Sequence, residues 1–228
     1  MTDQKPRKLR VGKSGVVPSW ELEDDALRDG FKRIAGVDEA GRGPIAGPVA
    51  AAAVILPPDR ALPWLARVND SKVLTAPARE RLAQRIIEEC IVGTALVPPD
   101  VIDDRGIAAA TRLAMVRAVE ALLLPPDLVL VDGLFPLSSE ALPSRPVVHG
   151  DGRSLSIAAA SIIAKVVRDR VMRDLDIHFH GYGLARNKGY ATKDHLDALE
   201  RLGPTIIHRR SFAPIRQDGL SVDITDDA

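Results

Sequence analysis

Residues 34–44 of the chain read IAGVDEAGRGP, an apolar run that ends in two adjacent carboxylates and is followed by a glycine-rich turn. The carboxylates are Asp38 and Glu39, and the turn is Gly-Arg-Gly at 41–43. Glycine lets the backbone approach a ligand closely, and carboxylate oxygens are the ligands that hard divalent cations prefer. The stretch therefore indicates a metal centre beside a phosphate-bearing substrate.

The composition is that of an ordinary globular protein. The chain has 228 residues, of which 46% are hydrophobic and 27% charged, which is enough to bury a substantial core. Its formal net charge is zero, so the overall field gives no steering towards nucleic acid. A nucleic-acid partner would have to be held by a local basic patch.

The single cysteine, Cys90, excludes an internal disulfide framework and fits a reducing cytoplasm. The first residues are polar and basic and carry no apolar signal core. No segment offers about 18 uninterrupted apolar residues, the length that a membrane-spanning helix needs. We therefore expect a cytoplasmic protein with no membrane partner.

Apolar periodicity predicts alternating strands and helices. Helices are expected at 78–89, 106–124, 154–172 and 193–202, where apolar residues recur at helical spacing or alanines predominate. Short apolar runs bounded by glycine and proline predict strands, the first two of which would form a hairpin or lie side by side. The predicted strands are 33–38, 49–56, 91–97, 128–131 and 147–150.

We expect four regions along the chain. Residues 1–30 are predicted to form a flexible basic extension, either a solvated tail or an arm for nucleic acid. Residues 31–180 would form the catalytic domain and 181–217 a C-terminal helical appendage. An acidic tail at 218–228 would follow.

Four acids share one local pattern, since Asp38-Glu39, Asp132 and Asp151 each close an apolar run and have a glycine nearby. Acids at strand ends converge on one edge of a sheet, although alternate residues point to opposite faces. Both Asp38 and Glu39 could line one site only if the strand stopped at Asp38. A single Asp-Gly more often satisfies a turn, but the joint pattern favours a metal site.

Oxygen ligands without cysteine favour Mg²⁺ or Mn²⁺ over zinc. An open carboxylate cluster suits two ions, of which one activates water and the other stabilises the leaving oxygen in phosphoryl transfer. The histidines show no metal-ligand spacing; they are His149, His178, His180, His195 and His208.

Residues 33–213 resemble bacterial ribonuclease HII, a type 2 ribonuclease H, in their motifs and in the order of those motifs along the chain. The resemblance rests on the motif at 35–48 and on five later ones, which are Asp70-Ser71-Lys72, Val131-Asp132-Gly133, Gly150-Asp151, residues 158–170 and Lys188-Gly189-Tyr190. It implies an α/β ribonuclease H-like fold, with a mixed five-stranded sheet flanked by helices and a small C-terminal helical appendage. It also implies cleavage of RNA in RNA–DNA hybrids and incision on the 5′ side of single ribonucleotides embedded in duplex DNA.

By this resemblance, Asp38, Glu39, Asp132 and Asp151 match the family's catalytic, metal-binding acids. They would hold two Mn²⁺ or Mg²⁺ ions. Asp169 is the chief rival for a catalytic role, but an acid within a helix among basic residues more often forms an ion pair.

The resemblance also assigns residues to the substrate. The turn Gly41, Arg42 and Gly43 would recognise the ribose 2′-hydroxyl through backbone groups, which suits a reader that ignores base sequence. Lys72 would contact phosphate near the scissile bond. Tyr190 would read the sugar at the RNA–DNA junction, although an aromatic residue there could equally brace the appendage.

Basic residues on the alanine-rich helix and near the C-terminus are candidate phosphate contacts: Lys165, Arg168, Arg209 and Arg210. Lys165 and Arg168, on the helix, would alternatively form surface ion pairs. Arg209 and Arg210, near the C-terminus, could simply be solvated.

Two other functions compete with a ribonuclease. A sugar or acetate kinase also opens with a strand-end acid and glycines, but it needs a further large lobe for which this chain is too short. A catalytically inert nucleic-acid-binding protein would lack one of the acids, and none is missing. We expect a monomer, and a replication or repair protein such as a sliding clamp or polymerase is a possible partner.

Overall fold

The computed structural model describes residues 17–137 and 142–215, and a mixed sheet of five strands lies at its centre. The strand order is β3-β2-β1-β4-β5. The first three strands pair antiparallel, while β1, β4 and β5 run parallel to one another. The strands are β1 (Ile34–Ala40), β2 (Val49–Ile55), β3 (Ile91–Val97), β4 (Leu128–Asp132) and β5 (Ser144–Val147).

Helices cover both faces of this sheet. Helices α3 and α4 pack on one face, and α2 and α5 pack on the other. Strand β2 is buried along its whole length, which agrees with its uninterrupted apolar sequence. The helices are α1 (Glu21–Arg28), α2 (Ala76–Glu89), α3 (Pro99–Arg105), α4 (Ile107–Glu120), α5 (Leu155–His178), α6 (Leu184–Asn187) and α7 (Lys193–Leu202).

The approach of α5 to β1 depends on small residues. A Cβ atom on Gly36 would clash with the backbone of Ser156 and Ile157, so only glycine permits this spacing. The alanines at 158–160 are fully buried and continue the contact along α5. The predicted α/β fold, a mixed five-stranded sheet flanked by helices, is confirmed.

The C-terminal segment returns to the loop that follows β1. Tyr182, Leu184 and Ile207 form a small core with Ala46 and Met172. Ala46 also forms an isolated antiparallel bridge with His208, which fixes the C-terminal segment beside the glycine-rich turn.

Several predicted boundaries are wrong. Within the proposed flexible extension, α1 is folded and Glu23 is buried, while residues 1–16 and the acidic tail lie outside the described part. The helix predicted at 106–124 ends at Glu120, and a separate helix that was not predicted, α3, precedes it. Strand β5 ends at Val147 rather than at residue 150. No helix among the described residues is both long and apolar enough to span a membrane.

Candidate active site

Asp38 and Asp132 lie side by side on the central strands. Strands β1 and β4 run parallel with Val37 opposite Val131, so the next residue on each strand is an aspartate. Side chains alternate along a strand, and Gly36 already faces α5. Asp38, two residues further on, therefore faces α5 as well.

Asp151 reaches the site by a different route from the one predicted. It lies in a 3-10 turn, Gly150–Gly152, after the left-handed His149 has turned the chain away from β5. The Gly150 N–H donates to Asp132 Oδ1 at 2.7 Å, which fixes this turn against the end of β4. One carboxylate oxygen from each of Asp38, Asp132 and Asp151 lies within 4.8 Å of the others.

Burial and mutual repulsion make this cluster unfavourable as bare anions. Burial, reinforced by the charges of Glu39, Asp132 and Asp151, raises the pKa of Asp38 well above its ordinary value. Burial also raises the pKa of Asp132, with the charge of Asp151 acting in the same direction against the Gly150 hydrogen bond. A bound cation would relieve both effects.

Glu39 does not join the tight cluster. Because β1 continues to Ala40 instead of stopping at Asp38, neighbouring side chains alternate and Glu39 is directed away from the face of Asp38. Its Oε1 lies 3.5 Å from Arg42 Nη1. Burial raises the pKa of Glu39, the charge of Arg42 lowers it, and Asp132 raises it, so the carboxylate still lies in the field of the site.

Lys72 forms an ion pair with the cluster. Its Nζ lies 2.8 Å from Asp151 Oδ2 and 3.9 Å from Asp70 Oδ1. The turn that carries it is anchored by the Ser161 hydroxyl, which donates to Ser71 Oγ at 2.8 Å. Burial opposes the charge of Lys72, but the hydrogen bond and charge of Asp151 outweigh it and raise its pKa.

The donor set fits a divalent cation. It consists of carboxylate oxygens alone. The pKa values of Asp38 and Asp132 are raised because the surrounding protein does not supply enough positive charge to compensate these carboxylates. Hard oxygen ligands of this kind suit Mg²⁺ or Mn²⁺. Asp38, Asp132 and Asp151 would provide the ligands.

Gly41 shapes the glycine-rich turn. Its φ of +96° is a backbone conformation that residues with a Cβ atom rarely adopt. A Cβ atom at this position would also clash with the guanidinium of Arg168. Gly43 differs, because a Cβ atom would only touch Tyr190 Cε1 at 3.6 Å. The turn thus needs glycine at its first position to lie against α5.

Two buried arginines hold this loop. The prediction that they contact phosphate is therefore wrong. Arg168 is 1% exposed and donates to the carbonyl oxygens of Ala46, Pro48 and Lys188. Arg209 is fully buried and donates to the carbonyl oxygens of a further set, Gly41, Arg42 and Gly47. Their guanidinium groups are engaged with the backbone and do not face solvent.

Tyr190 lies beside the glycine-rich turn with 47% of its surface exposed. Its ring edge is close to Gly43, as the hypothetical Cβ contact shows. Gly189 precedes it, and the Gly189 carbonyl accepts hydrogen bonds from the N–H groups of Ile45 and Ala46. The turn and Tyr190 therefore form one continuous surface.

The other basic candidates differ in placement. Lys165 Nζ donates to Asp169 Oδ1 at 2.7 Å, which agrees with the ion-pair interpretation of Asp169. Arg210 is exposed, and its backbone N–H donates to Asp103 at 2.9 Å. Lys165 and Arg210 remain predicted phosphate contacts, since neither is enclosed as Arg168 is.

The sequence interpretation missed Glu23. Its Oε1 accepts hydrogen bonds from the hydroxyl groups of Ser154 and Ser156 and from the Ser156 N–H. This anchors α1 to the start of α5, directly after the turn that carries Asp151. Trp20, an aromatic residue beside a helically spaced acidic stretch, was the available signal that this segment is folded.

Together, the sheet topology and the carboxylate cluster define a metal-dependent nuclease of the ribonuclease H-like class. The sequence model described as Ribonuclease HII matches residues 35–215. A Ribonuclease HII from Geobacillus kaustophilus is 53% identical over 214 residues, covering 91% of this chain and 80% of the relative. The chain belongs to the Ribonuclease HII family.

Solved structures agree with this assignment. A ribonuclease H2 from Pyrococcus horikoshii superposes with a TM-score of 0.68 at 28% identity, covering 82% of this chain and 96% of the other. The ribonuclease HII in a PCNA complex from Archaeoglobus fulgidus gives 0.68 at 30% identity, with coverages of 78% and 94%. The protein is accordingly a metal-dependent endoribonuclease that degrades RNA in RNA–DNA hybrids.

Proposed function

We propose that the enzyme also incises duplex DNA on the 5′ side of a single embedded ribonucleotide, by hydrolysis that uses two Mg²⁺ or Mn²⁺ ions. The observation that carries the proposal is the continuous surface formed by the glycine-rich turn and Tyr190 beside the carboxylate cluster. The turn that would recognise one ribose and the tyrosine that would contact the neighbouring sugar would then both lie next to the hydrolytic site.

Asp38, Asp132 and Asp151 would hold the ions. Glu39 would join them only by turning its side chain from Arg42 towards Asp132, whose charge already acts on it. When bound, the two ions would supply water activation and stabilise the leaving oxygen. The protein contributes a fixed geometry, because Asp132 is held by the Gly150 N–H and Asp38 Oδ1 accepts from the Glu39 N–H at 2.7 Å.

The glycine-rich turn would recognise the 2′-hydroxyl, the group that distinguishes RNA from DNA. Arg209 occupies one acceptor direction on the carbonyl oxygens of Gly41 and Arg42. Each carbonyl oxygen has two acceptor sites, so one remains available for a hydroxyl donor. The absence of a side chain at Gly43, next to Tyr190, gives the sugar room to approach this backbone.

Tyr190 would stack on the sugar that follows the ribonucleotide. A deoxyribose would fit against the ring, whereas a second 2′-hydroxyl would be disfavoured there. Lys72 would exchange its contact with Asp151 for a phosphate near the scissile bond. Lys165 and Arg210 would contact phosphates further along the duplex, where exposed basic groups add sequence-independent affinity.

A replication protein is a reasonable partner. The related ribonuclease HII from Archaeoglobus fulgidus was solved in complex with PCNA. We propose that this enzyme acts as a monomer and is recruited by a protein of that kind. Pull-down with a purified sliding clamp would test the interaction, and failure to bind at micromolar concentrations would contradict it.

The central test uses a 5′-labelled DNA duplex that carries one ribonucleotide, incubated with Mg²⁺ or Mn²⁺. We expect a single cut on the 5′ side of the ribonucleotide. An all-DNA duplex and the Asp132→Asn variant provide the controls. If folded enzyme cleaves continuous RNA in a hybrid but leaves the single ribonucleotide intact, the proposed junction specificity is wrong.

A further inference from the structure

Two histidines lie completely buried behind Tyr190, outside the carboxylate cluster. His195 belongs to α7 and is 0% exposed, while His208 lies in the C-terminal segment and is 1% exposed. Their Nε2 atoms are 3.2 Å apart. The ring of Tyr182 packs against both, with centroid distances of 6.2 Å and 4.8 Å.

The hydrogen bonds around this pair allow one arrangement of protons. The Thr205 N–H donates to His208 Nδ1 at 3.0 Å, so a neutral His208 carries its proton on Nε2. That proton is donated to His195 Nε2, which must accept. His195 then carries its own proton on Nδ1 and donates it to the Tyr190 carbonyl oxygen, 2.9 Å away.

The environment keeps both rings neutral. Burial lowers the pKa of His195 below its ordinary value and, with the proximity of His195, lowers the pKa of His208 to about 4. At physiological pH a chain of hydrogen bonds, here called the relay, therefore runs from Thr205 through His208 and His195 to Tyr190. Its direction is fixed by the backbone N–H at one end and the carbonyl oxygen at the other.

The relay connects the two parts of the recognition surface. The Tyr190 carbonyl also accepts from the Thr192 N–H at 2.8 Å, but that bond is local and does not tie Tyr190 to the rest of the protein. His208 is followed directly by Arg209, whose guanidinium holds the carbonyl oxygen of Gly41. Adjacent residues on one segment thus support the glycine-rich turn and, through His195, Tyr190.

We propose that His195 and His208 are positioning residues that set the location of Tyr190 against the glycine-rich turn and thereby determine the preference for a single ribonucleotide over continuous RNA. This inference rests on the proposed junction specificity. Neither histidine contacts the substrate, and both act through the backbone of Tyr190.

Two substitutions at His195 separate positioning from packing. His195→Asn keeps an N–H donor near the position of Nδ1 but loses the reach to His208. His195→Gln places its amide near the position of Nε2, so it keeps the His208 partner and loses the donor to Tyr190. Both variants replace the ring by a smaller polar side chain, so each is the packing control for the other.

The main measurement is the ratio of kcat/KM for a duplex with one ribonucleotide to kcat/KM for a continuous RNA–DNA hybrid, with Mn²⁺ present. We expect His195→Gln to lower this ratio by about fivefold, towards the value of Tyr190→Ala, because stacking on an aromatic ring is worth about tenfold or more in affinity. We expect His195→Asn to lower the ratio less, because it keeps the donor to the Tyr190 carbonyl and loses only the support of His208. A wild-type ratio in folded His195→Gln, or an equal loss in both variants, would overturn the inference.

A second measurement does not depend on activity. The chain has two tyrosines, so incorporation of 3-fluorotyrosine gives two ¹⁹F resonances, and Tyr190→Phe assigns them. We expect the Tyr190 resonance to move or broaden in His195→Gln and to change less in His195→Asn. An unchanged Tyr190 resonance in His195→Gln would refute the positioning role. If wild-type enzyme leaves single ribonucleotides uncut, the proposed function fails on that result, whereas the positioning role is still decided by these spectra.

Discussion

Lys72 Nζ lies 2.8 Å from Asp151 Oδ2, so a protein cation occupies the edge of the carboxylate cluster. A divalent ion and Lys72 compete for the same carboxylate. We expect Lys72→Ala to bind Mn²⁺ about threefold more tightly, because a partly exposed ion pair is worth up to about 1 kcal/mol. Titration calorimetry of the protein without substrate measures this change.

The Lys72 variant should nevertheless cleave hybrids more slowly, since the proposed phosphate contact is lost. Lys193→Ala is a suitable control, because Lys193 is paired with Asp197 on the exposed side of α7. Weaker Mn²⁺ binding by Lys72→Ala would show that the lysine supports the site in some way other than by competing for Asp151.

Asp38→Asn is expected to remove activity and to stabilise the protein when no divalent ion is present. Loss of a ligand forfeits several kcal/mol of charge stabilisation, so cleavage should fall by roughly a thousandfold or more. The raised pKa of Asp38 shows that its charged form is disfavoured in the fold. Urea unfolding in EDTA should therefore give a free energy of unfolding about 1 kcal/mol higher than wild type at pH 7.

The stabilising effect of Asp38→Asn has a defined pH dependence. Because the folded-state pKa of Asp38 is raised, its destabilisation is present at high pH and disappears as the pH falls through that value. The difference between variant and wild type should shrink accordingly. A difference that grows on acidification would contradict the assignment.

Arg209 is expected to be structural, in contrast to its neighbour Arg210. Arg209→Met leaves the buried carbonyl oxygens of Gly41, Arg42 and Gly47 without their donor, which should cost about 3 kcal/mol or more. The side chain of Arg210 is exposed, so Arg210→Ala should change the free energy of unfolding by less than about 0.5 kcal/mol. Chemical denaturation of the two variants tests this, and equal stability would refute the buried role of Arg209.

The two glycines of the recognition turn should respond differently to alanine. Gly41→Ala combines a positive φ with a clash against Arg168, and we expect a loss of about 3 kcal/mol and a melting temperature lower by roughly 6–12 °C. Gly43→Ala meets only an ordinary contact with Tyr190 and should melt close to wild type. Differential scanning calorimetry distinguishes them, and similar melting of both variants would be evidence against the described turn.

His208 should make stability depend on pH in the acidic range. Its pKa is about 4 in the folded protein and about 6.5 when unfolded, so the unfolded state binds a proton more readily between these values. The free energy of unfolding should therefore fall as the pH drops from 6.5 towards 4, by on the order of 3 kcal/mol in total.

The contribution of His208 is isolated by comparing the pH dependence of wild type with that of His208→Gln. We expect the variant to lose this part of the slope. His178→Gln, at the end of α5, is a control for general effects of histidine replacement. Parallel pH profiles of wild type and His208→Gln would contradict the lowered pKa.

Local sequence was a good guide to the elements that are long or uniform. The apolar run of β2 and the helical spacing in α2 predicted elements close to those observed, because burial and periodicity act within a short window. Helix α3 was not predicted, and the helix predicted at 106–124 extends only from Ile107 to Glu120. The folded state of α1 depends on Glu23 contacting serines more than a hundred residues away, which no local pattern contains.

The sequence by itself determined the chemical identity of the site: its acids, its glycine-rich turn and the family to which the chain belongs. Tertiary structure decided which of these groups meet. Asp38 and Asp132 share a face because parallel strands place them in register, whereas Glu39 is turned away by the alternation along the same strand. Arg209 became an internal support for the turn, and His195 and His208 became a pair, because the C-terminal segment returns to the loop after β1. Burial and hydrogen-bond partners are set by contacts between distant segments, so residue type alone could not assign these roles.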